Sequence, residues 1–220
     1  MNPSWDLLGV YGASGCGRGI LPLLRKELLS TGGLCDSLVF IDDSPPAKIL
    51  NGHRVLTFEQ FLAASPGKKG VALAVAAGAI RARLAARLAS HEISPLSIHA
   101  TTVQIMDEVE IGPGSILSPF VTLTSNIRVG QFFHANLYSY IEHDCVIGDF
   151  VTFAPAVKCN GNVHIEDFAY IGSGAVIRQG KPGRPLVIGR GAVVGMGAVV
   201  TKDVPPGVTV VGNPAKVLPR

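Results

Sequence analysis

The sequence predicts two folds in series: a Rossmann-like α/β domain over residues 1–100 and an all-β parallel β-helix over residues 101–220. Three observations predict them. Before residue 100, short apolar runs alternate with helix-like runs. From Ile105 onward, every sixth residue is apolar. The stretch "SPLSIHATT" carries one pattern into the other and sets the boundary near residue 100.

In the first part, "DLLGVYGASGCGRGILPLLRKELL" reads as an apolar strand, a Gly-rich turn and a helix. "SLVFIDDS" reads as a second strand ending in Asp42 and Asp43. "GVALAVAAG" reads as a third strand closing on Ala76, Ala77 and Gly78, small enough to let a ligand approach, and "AIRARLAARLASH" as the next helix. Strands alternating with helices imply a parallel sheet. The turn Gly12-Ala13-Ser14-Gly15-Cys16-Gly17 is G-x-x-G-x-G, not the dinucleotide fingerprint G-x-G-x-x-G. It still places N–H groups at a helix N-terminus, which suits phosphate. The step from Gly12 to Asp42 is longer than the ~20 residues of the fingerprint. A ligand-free turn fits this spacing. The acids at the second strand's end favour a nucleotide, with Asp42 and Asp43 toward ribose or base.

In the second part, one apolar column runs Ile105, Ile111, Leu117, Leu123, Val129, Ala135, Ile141, Ile147, Phe153, Cys159, Ile165, Ile171, Ile177. A second column, apolar or small, lies four residues after each of the first twelve, from Val109 through Ser139 and Cys145 to Ala175. Neither a 3.6-residue helix nor a plain alternating strand keeps a six-residue period. Short strands joined at tight corners do, with three hexads closing a triangular coil and coils stacking at about 4.8 Å. The period breaks once: "RQGKPGRPLV" inserts five residues before Ile188, Val194 and Val200 resume it. Such an insertion forms a loop at one corner. Its Arg178, Lys181 and Arg184 are read either as solvated charges or as a clamp for a phosphorylated ligand.

Bulk composition bounds the rest. The 220 residues are 47% hydrophobic, 16% charged and 6% aromatic, with 26 glycines, which favours close packing of small residues. A net charge of +3 is too weak to imply nucleic acid. The start, "MNPSWDLLGV", lacks a basic segment leading into an apolar one, so no secretory leader is expected. "GVALAVAAGAI" is far shorter than the ~20 residues of a membrane span, so no membrane insertion is expected. Cys16, Cys35, Cys145 and Cys159 form no C-x-x-C pair and read as reduced, mostly buried thiols of a cytoplasmic protein.

One hexad stands out. In "IEHDCV", Ile141 and Cys145 fall in the inward columns, which leaves His143 facing out near a corner with Asp144 beside it. An outward histidine is usually a solvated bystander. Here a carboxylate can hold its tautomer, and Gly161 follows three hexads later, directly above it in the next coil. A base beside a bare glycine N–H suits acyl transfer: the base takes the nucleophile's proton and the N–H binds the oxyanion.

The stretches "YGASGCGRG", "FIDD", "IEHDCVIGDF", "KCNGNVHI" and "VVTKDVPPGVTVVGNPAKVL" span most of the chain. Through them the chain resembles the left-handed β-helix acyltransferases. The similar branch has an N-terminal nucleotide-sugar domain and includes sialic acid O-acetyltransferases and nucleotide-4-amino-sugar N-acetyltransferases. Within it, the chain looks most like enzymes that N-acetylate GDP-perosamine. The resemblance implies a left-handed coil, an exception to the right-handed crossover rule. It also implies a homotrimer, acetyl-CoA as co-substrate in a groove between subunits, no permanently bound cofactor and no metal. The implied reaction acetylates the 4-amino group of a nucleotide-linked 4-amino-4,6-dideoxy sugar for O-antigen or another surface glycan. His143 becomes the general base, Asp144 its partner and Gly161 the oxyanion donor. Gly12, Ala13, Ser14, Gly15, Cys16, Gly17, Asp42, Asp43 and Gly78 would hold the nucleotide sugar. Asn160, Ser173, Gly174, Arg178, Lys181, Arg184, Gly191 and Lys216 would hold acetyl-CoA, with Ser173 and Gly191 on successive coils along the pantetheine. Some relatives carry histidine where this chain has Cys16 and Thr152.

Several readings stay open. The nucleotide could be UDP- or dTDP-linked, and a sialic acid hydroxyl could be the acceptor. A zinc carbonic anhydrase-like enzyme would use histidines such as His134, His143 and His164, but the H-x-x-x-x-H ligand pair is missing. A non-catalytic nucleotide-sugar scaffold is the last alternative.

Overall fold

A computed structural model describes residues 5–30, 32 and 35–219. Residues 1–4, the start of the segment read as lacking a leader, lie outside them. The chain divides into two compact units, residues 1–76 with 80–98 and residues 77–79 with 99–220.

The first unit is built on a six-stranded sheet. Its strands are β1 (Leu7–Tyr11), β2 (Leu38–Ile41), β3 (Ile49–Leu50), β4 (His53–Leu56), β5 (Lys69–Leu73) and β6 (Ser94–Pro95), in the order β3-β4-β2-β1-β5-β6. All pair in parallel except the β3–β4 hairpin. That hairpin turns at Asn51 and Gly52, both at positive φ, the conformation a two-residue hairpin requires. Helix α1 (Gly15–Ser30) follows β1, α2 (Phe58–Ala63) follows β4 behind a Thr57–Gln60 capping box, and α3 (Gly78–Ser90) follows β5. One expectation is corrected. β5 ends at Leu73, so Ala76 and Ala77 lie in a loop and Gly78 opens α3; none of the three closes the strand. An apolar run alone does not mark where a buried strand stops.

In the second unit, two-residue and three-residue strands stack into three faces of eight, six and five strands. Register advances by three hexads per coil, as in His134–Thr152–Tyr170, and by the same step plus the insertion where the loop leaves, as in Val176–Val199. Both apolar columns point inward: Leu117, Leu123, Ile141, Cys159, Ile171, Ile177 and Ile188 are 0% exposed, as are Val121, Cys145, Val157 and Ala175. Ile105 is 43% exposed and Ile111 half-buried, because no coil lies beneath the first one to cover them.

A third column sits at the corners. Glu108, Gly114, Phe120, Asn126, Phe132, Tyr138, Asp144, Phe150, Ala156, Asn162, Phe168 and Gly174 all have φ between 52° and 74°. Each turns the chain in the left-handed region, at roughly 1–2 kcal/mol per non-glycine residue. The residue types there are mixed, so hydropathy does not betray the column. Stacking helps to offset the cost: Phe132, Phe150 and Phe168 form a ladder with ring centroids 5.2 and 5.3 Å apart. No helix among the described residues is long and apolar enough to cross a membrane.

Candidate active site

His143 and Asp144 occupy one corner of the coil. The positive φ of Asp144 (58°) swings its carboxylate back beside the preceding ring, and Oδ2 lies 2.8 Å from His143 Nδ1. A carboxylate only accepts, so Nδ1 carries the hydrogen and Nε2 keeps a free lone pair. The two side chains are 44% and 50% exposed, so the pair faces solvent and not the core.

Gly161 lies one coil further along the same corner. The Asn162 N–H donates to His143 O at 2.9 Å, which ties the two coils together there. A Cβ at position 161 would sit 2.5 Å from His143 Cε1 and 2.6 Å from Nε2. The imidazole can cover this backbone only because residue 161 is glycine. Among the described residues, the Gly161 N–H has no hydrogen-bond acceptor. A base with a free lone pair therefore stands against an open backbone donor.

The corner continues into the insertion. The Gly180 N–H donates to Gly161 O at 3.0 Å. The inserted loop closes on itself through paired backbone bonds between Lys181 and Arg184, with Gly183 at φ 71°. Arg178, Lys181 and Arg184 line a cavity of about 310 Å³ together with Thr201, Lys202 and Asp203 from the following coil. Sequence reasoning misses Lys202. Counting three hexads plus the insertion onward from Gln179 finds it.

The other predicted acetyl-CoA residues are dispersed. Asn160 precedes Gly161, and its side chain is engaged by Tyr140 and Ile177. Ser173 and Gly191 do not stack on successive coils. Gly197 sits over Ser173 and Gly191 over Asp167, so the two stand at different corners. Their spacing of three hexads equals one regular coil in the chain, but the insertion consumes five of those residues. Gly174 shares the Ser173 corner. Lys216 lies exposed on the antiparallel last strand, Lys216–Val217. Thr152 is buried between His134 and Tyr170 on another face. Two of the four cysteines, Cys145 and Cys159, are buried, whereas Cys16 is half-buried and Cys35 exposed, which corrects the expectation of mostly buried thiols. No group of three His, Cys, Asp or Glu suited to a metal ion occurs among the described residues.

In the first unit, the glycine turn joins β1 to α1. A Cβ on Gly17 would meet Gly12 O at 1.7 Å, so only glycine lets the helix start this close to the strand end. Asp42 braces the turn: Oδ2 accepts the Ala13 N–H and Oδ1 the Ser44 N–H, both at 3.0 Å. Asp43 is held by Arg87 and by the Tyr11 hydroxyl, at 2.8 and 2.7 Å. Burial and this bond to Asp43 raise the Tyr11 phenol well above its ordinary range. Burial also raises the Cys16 thiol, which nearby Arg81 opposes. Arg81 itself is wholly buried, donates to Val75 O and Ala76 O, and is pushed down to about 10 by burial. Neither Arg81 nor Arg87 was singled out from the sequence, because helix-borne arginines normally face solvent.

Similarity to known proteins decides the family. The chain is 50% identical over 215 residues to the GDP-perosamine N-acetyltransferase of Escherichia coli O157:H7, covering 98% of this chain and 97% of that protein. The chain belongs to the GDP-perosamine N-acetyltransferase family. Among solved structures, WeeI from Acinetobacter baumannii AYE superposes with a TM-score of 0.94 at 54% identity, covering 96% of this chain and 99% of that one. The acetyltransferase domain of PglB from Neisseria gonorrhoeae FA1090, in complex with acetyl coenzyme A, does so with a TM-score of 0.86 at 28% identity, covering 98% and 100%. No protein-family model matches the chain. This member of the acetyltransferase family shares the left-handed β-helix architecture of its structural neighbours.

Proposed function

We propose that this chain transfers the acetyl group of acetyl-CoA to the 4-amino group of a nucleotide-linked 4-amino-4,6-dideoxy sugar, GDP-perosamine by family. The observation that carries the reading is the His143 ring, with Nδ1 held by Asp144, packed against Gly161, whose N–H has no acceptor among the described residues. The sugar amine attacks the thioester carbonyl and the carbonyl oxygen becomes an oxyanion, which the Gly161 N–H binds. His143 Nε2 takes the proton that the amine sheds. The tetrahedral intermediate then collapses, the C–S bond breaks, and the imidazolium returns that proton to the departing CoA sulfur. Asp144 supports the charged ring throughout.

The Rossmann-like first unit is proposed to hold the nucleotide sugar at residues 12–17, with Asp42 stiffening the turn. The basic cavity at the insertion would take phosphates of acetyl-CoA. It lies up to three coils from His143, about 14 Å at strand spacing, a distance an extended pantetheine arm can cross. A homotrimer acting in the cytoplasm completes the reading, by resemblance to the branch. The test is a panel of GDP-, UDP- and dTDP-linked 4-amino sugars with acetyl-CoA, scored by thiol release. GDP-perosamine should turn over fastest and give a product resistant to mild alkaline hydroxylamine, as amides are. A hydroxylamine-labile product, or equal turnover of the 4-hydroxy sugar nucleotide, would make the enzyme an O-acetyltransferase.

A further inference from the structure

Cysteine enters each inward column once, at Cys145 and at Cys159, and these two residues lie in the coils that carry His143 and Gly161. Both are 0% exposed. Cys145 Sγ lies 3.4 Å from Asn160 O and 3.6 Å from His143 O, and Cys159 Sγ lies 3.8 Å from Asn160 O. A thiol this deep reaches Asn160 O only if that carbonyl points into the coil, whereas His143 O already accepts the Asn162 N–H of the next coil. The Asn160–Gly161 peptide is trans, and in a trans peptide the N–H points opposite to the C=O. Anchoring Asn160 O in the core therefore turns the Gly161 N–H outward, onto the face where the imidazole lies.

The Asn160 side chain fixes the same peptide from outside the core. The Tyr140 hydroxyl donates to Asn160 Oδ1 at 2.9 Å, and Asn160 Nδ2 donates to Ile177 O at 2.8 Å. One residue thereby stitches three successive coils at the point where the open N–H is presented.

We infer that Cys145 and the Tyr140–Asn160 pair are positioning residues that aim the Gly161 N–H at the oxyanion of acyl transfer. The inference rests on the base and oxyanion-donor reading proposed above. It also gives a reason for cysteine in a column of apolar and small side chains: a small donor is needed beneath a carbonyl that no strand pairing satisfies, as Ser139 in the same column donates to Ala154 O. The hydrogen bond between the two thiols, together with burial, pushes Cys159 well above its ordinary range, and the same bond lowers Cys145.

Cys145→Val tests this. Valine already occupies the same column at Val121, Val151, Val157 and Val163, so the coil should stay packed while the thiol donor is lost. Outright loss of an oxyanion donor costs ~10²–10³ in kcat, and misaiming it is expected to cost about tenfold, with KM for both substrates unchanged. The loss should be the same factor at every pH, because the base is untouched. Cys145→Ser, which keeps a donor, should recover most of it, and Tyr140→Phe should lower kcat less than Cys145→Val. Wild-type kcat in Cys145→Val beside an inactive His143→Asn overturns the inference and leaves the base assignment standing. Equal losses in the Val and Ser variants overturn it too, by reducing Cys145 to a packing residue. Wild-type turnover in His143→Asn instead overturns the site reading beneath it.

Discussion

The glycine turn at residues 12–17 and the coil corner at residues 143–161 each combine an acid with a bare glycine, yet the two acids are engaged differently. Asp42 gives both carboxylate oxygens to backbone N–H groups, of Ala13 and Ser44. Its charge stiffens a loop. Asp144 gives one oxygen to a half-exposed imidazole whose other nitrogen is left open. Its charge faces the ring proposed as the base. The glycines differ in the same way. Gly17 is needed because Gly12 O approaches it, a contact within the fold. Gly161 is needed because a side chain, His143, lies against it while its N–H stays unpaired. An acid beside a glycine becomes a catalytic signal when its partner still has an unsatisfied group.

The largest effect separating the two regions should come from His143→Asn. General bases contribute about 10²–10⁴ in rate, so kcat should fall by at least about a hundredfold with the fold intact. Circular dichroism and melting would report the fold, and thiol release the rate. Near wild-type turnover would remove the distinction between the two sites.

Gly161→Ala should come next. Its Cβ would lie 2.5 Å from the imidazole, so the ring must move away from residue 161. A loss of about 10² in kcat is expected, in line with losing an oxyanion contact. Unchanged kcat would mean that the ring has no working position over residue 161.

Asp144→Asn and Asp42→Asn sharpen the comparison further. Asp144→Asn should lower kcat about tenfold without changing KM, because an amide oxygen still accepts from Nδ1 but supports the imidazolium less. Asp42→Asn should leave kcat alone, raise KM for the nucleotide sugar and cost about 1–2 kcal/mol of stability as the turn loses charge-assisted bonds. Swapped signatures, with Asp42→Asn acting on kcat, would reverse the assignment of the two acids.

The smallest effect should come from the insertion. Replacing Arg178, Lys181 and Arg184 by Ala should raise KM for acetyl-CoA by about three- to tenfold, because exposed charge contacts are each worth roughly 0.2–1 kcal/mol. KM for the amino sugar should not change. Adding Lys202→Ala should deepen the effect, because Lys202 faces the same cavity. An unchanged KM for acetyl-CoA would return these charges to solvent.

The strict six-residue period made the coils, the inward columns, the outward His143 and the stacking of Gly161 above it readable from the chain, because solenoid register is local and adds up by counting. Counting also failed where it ignored the insertion. Ser173 and Gly191 are three hexads apart in the chain yet stand at different corners, because five residues leave the coil between them. In the first unit, the parallel strands β1, β2 and β5 were legible as apolar runs. The β3–β4 hairpin and α2 were not, since they are short and their pattern is weak.

Other features depend on three-dimensional proximity and have no one-dimensional signal. The left-handed corner column runs through Glu, Phe, Asn, Tyr, Asp and Ala alike, since what selects it is backbone geometry. Arg81 looks like a solvated helix residue and is wholly buried, because two loop carbonyls take its guanidinium. Sequence alone determined that His143 would lie one coil from Gly161. Only the tertiary structure decided that the ring rests on that glycine, that Asp144 orients it, and that Cys145, Tyr140 and Asn160 converge on the peptide presenting the open N–H. Hydrogen bonds between coils join residues far apart in the chain, where neither periodicity nor adjacency specifies which side chain meets which carbonyl.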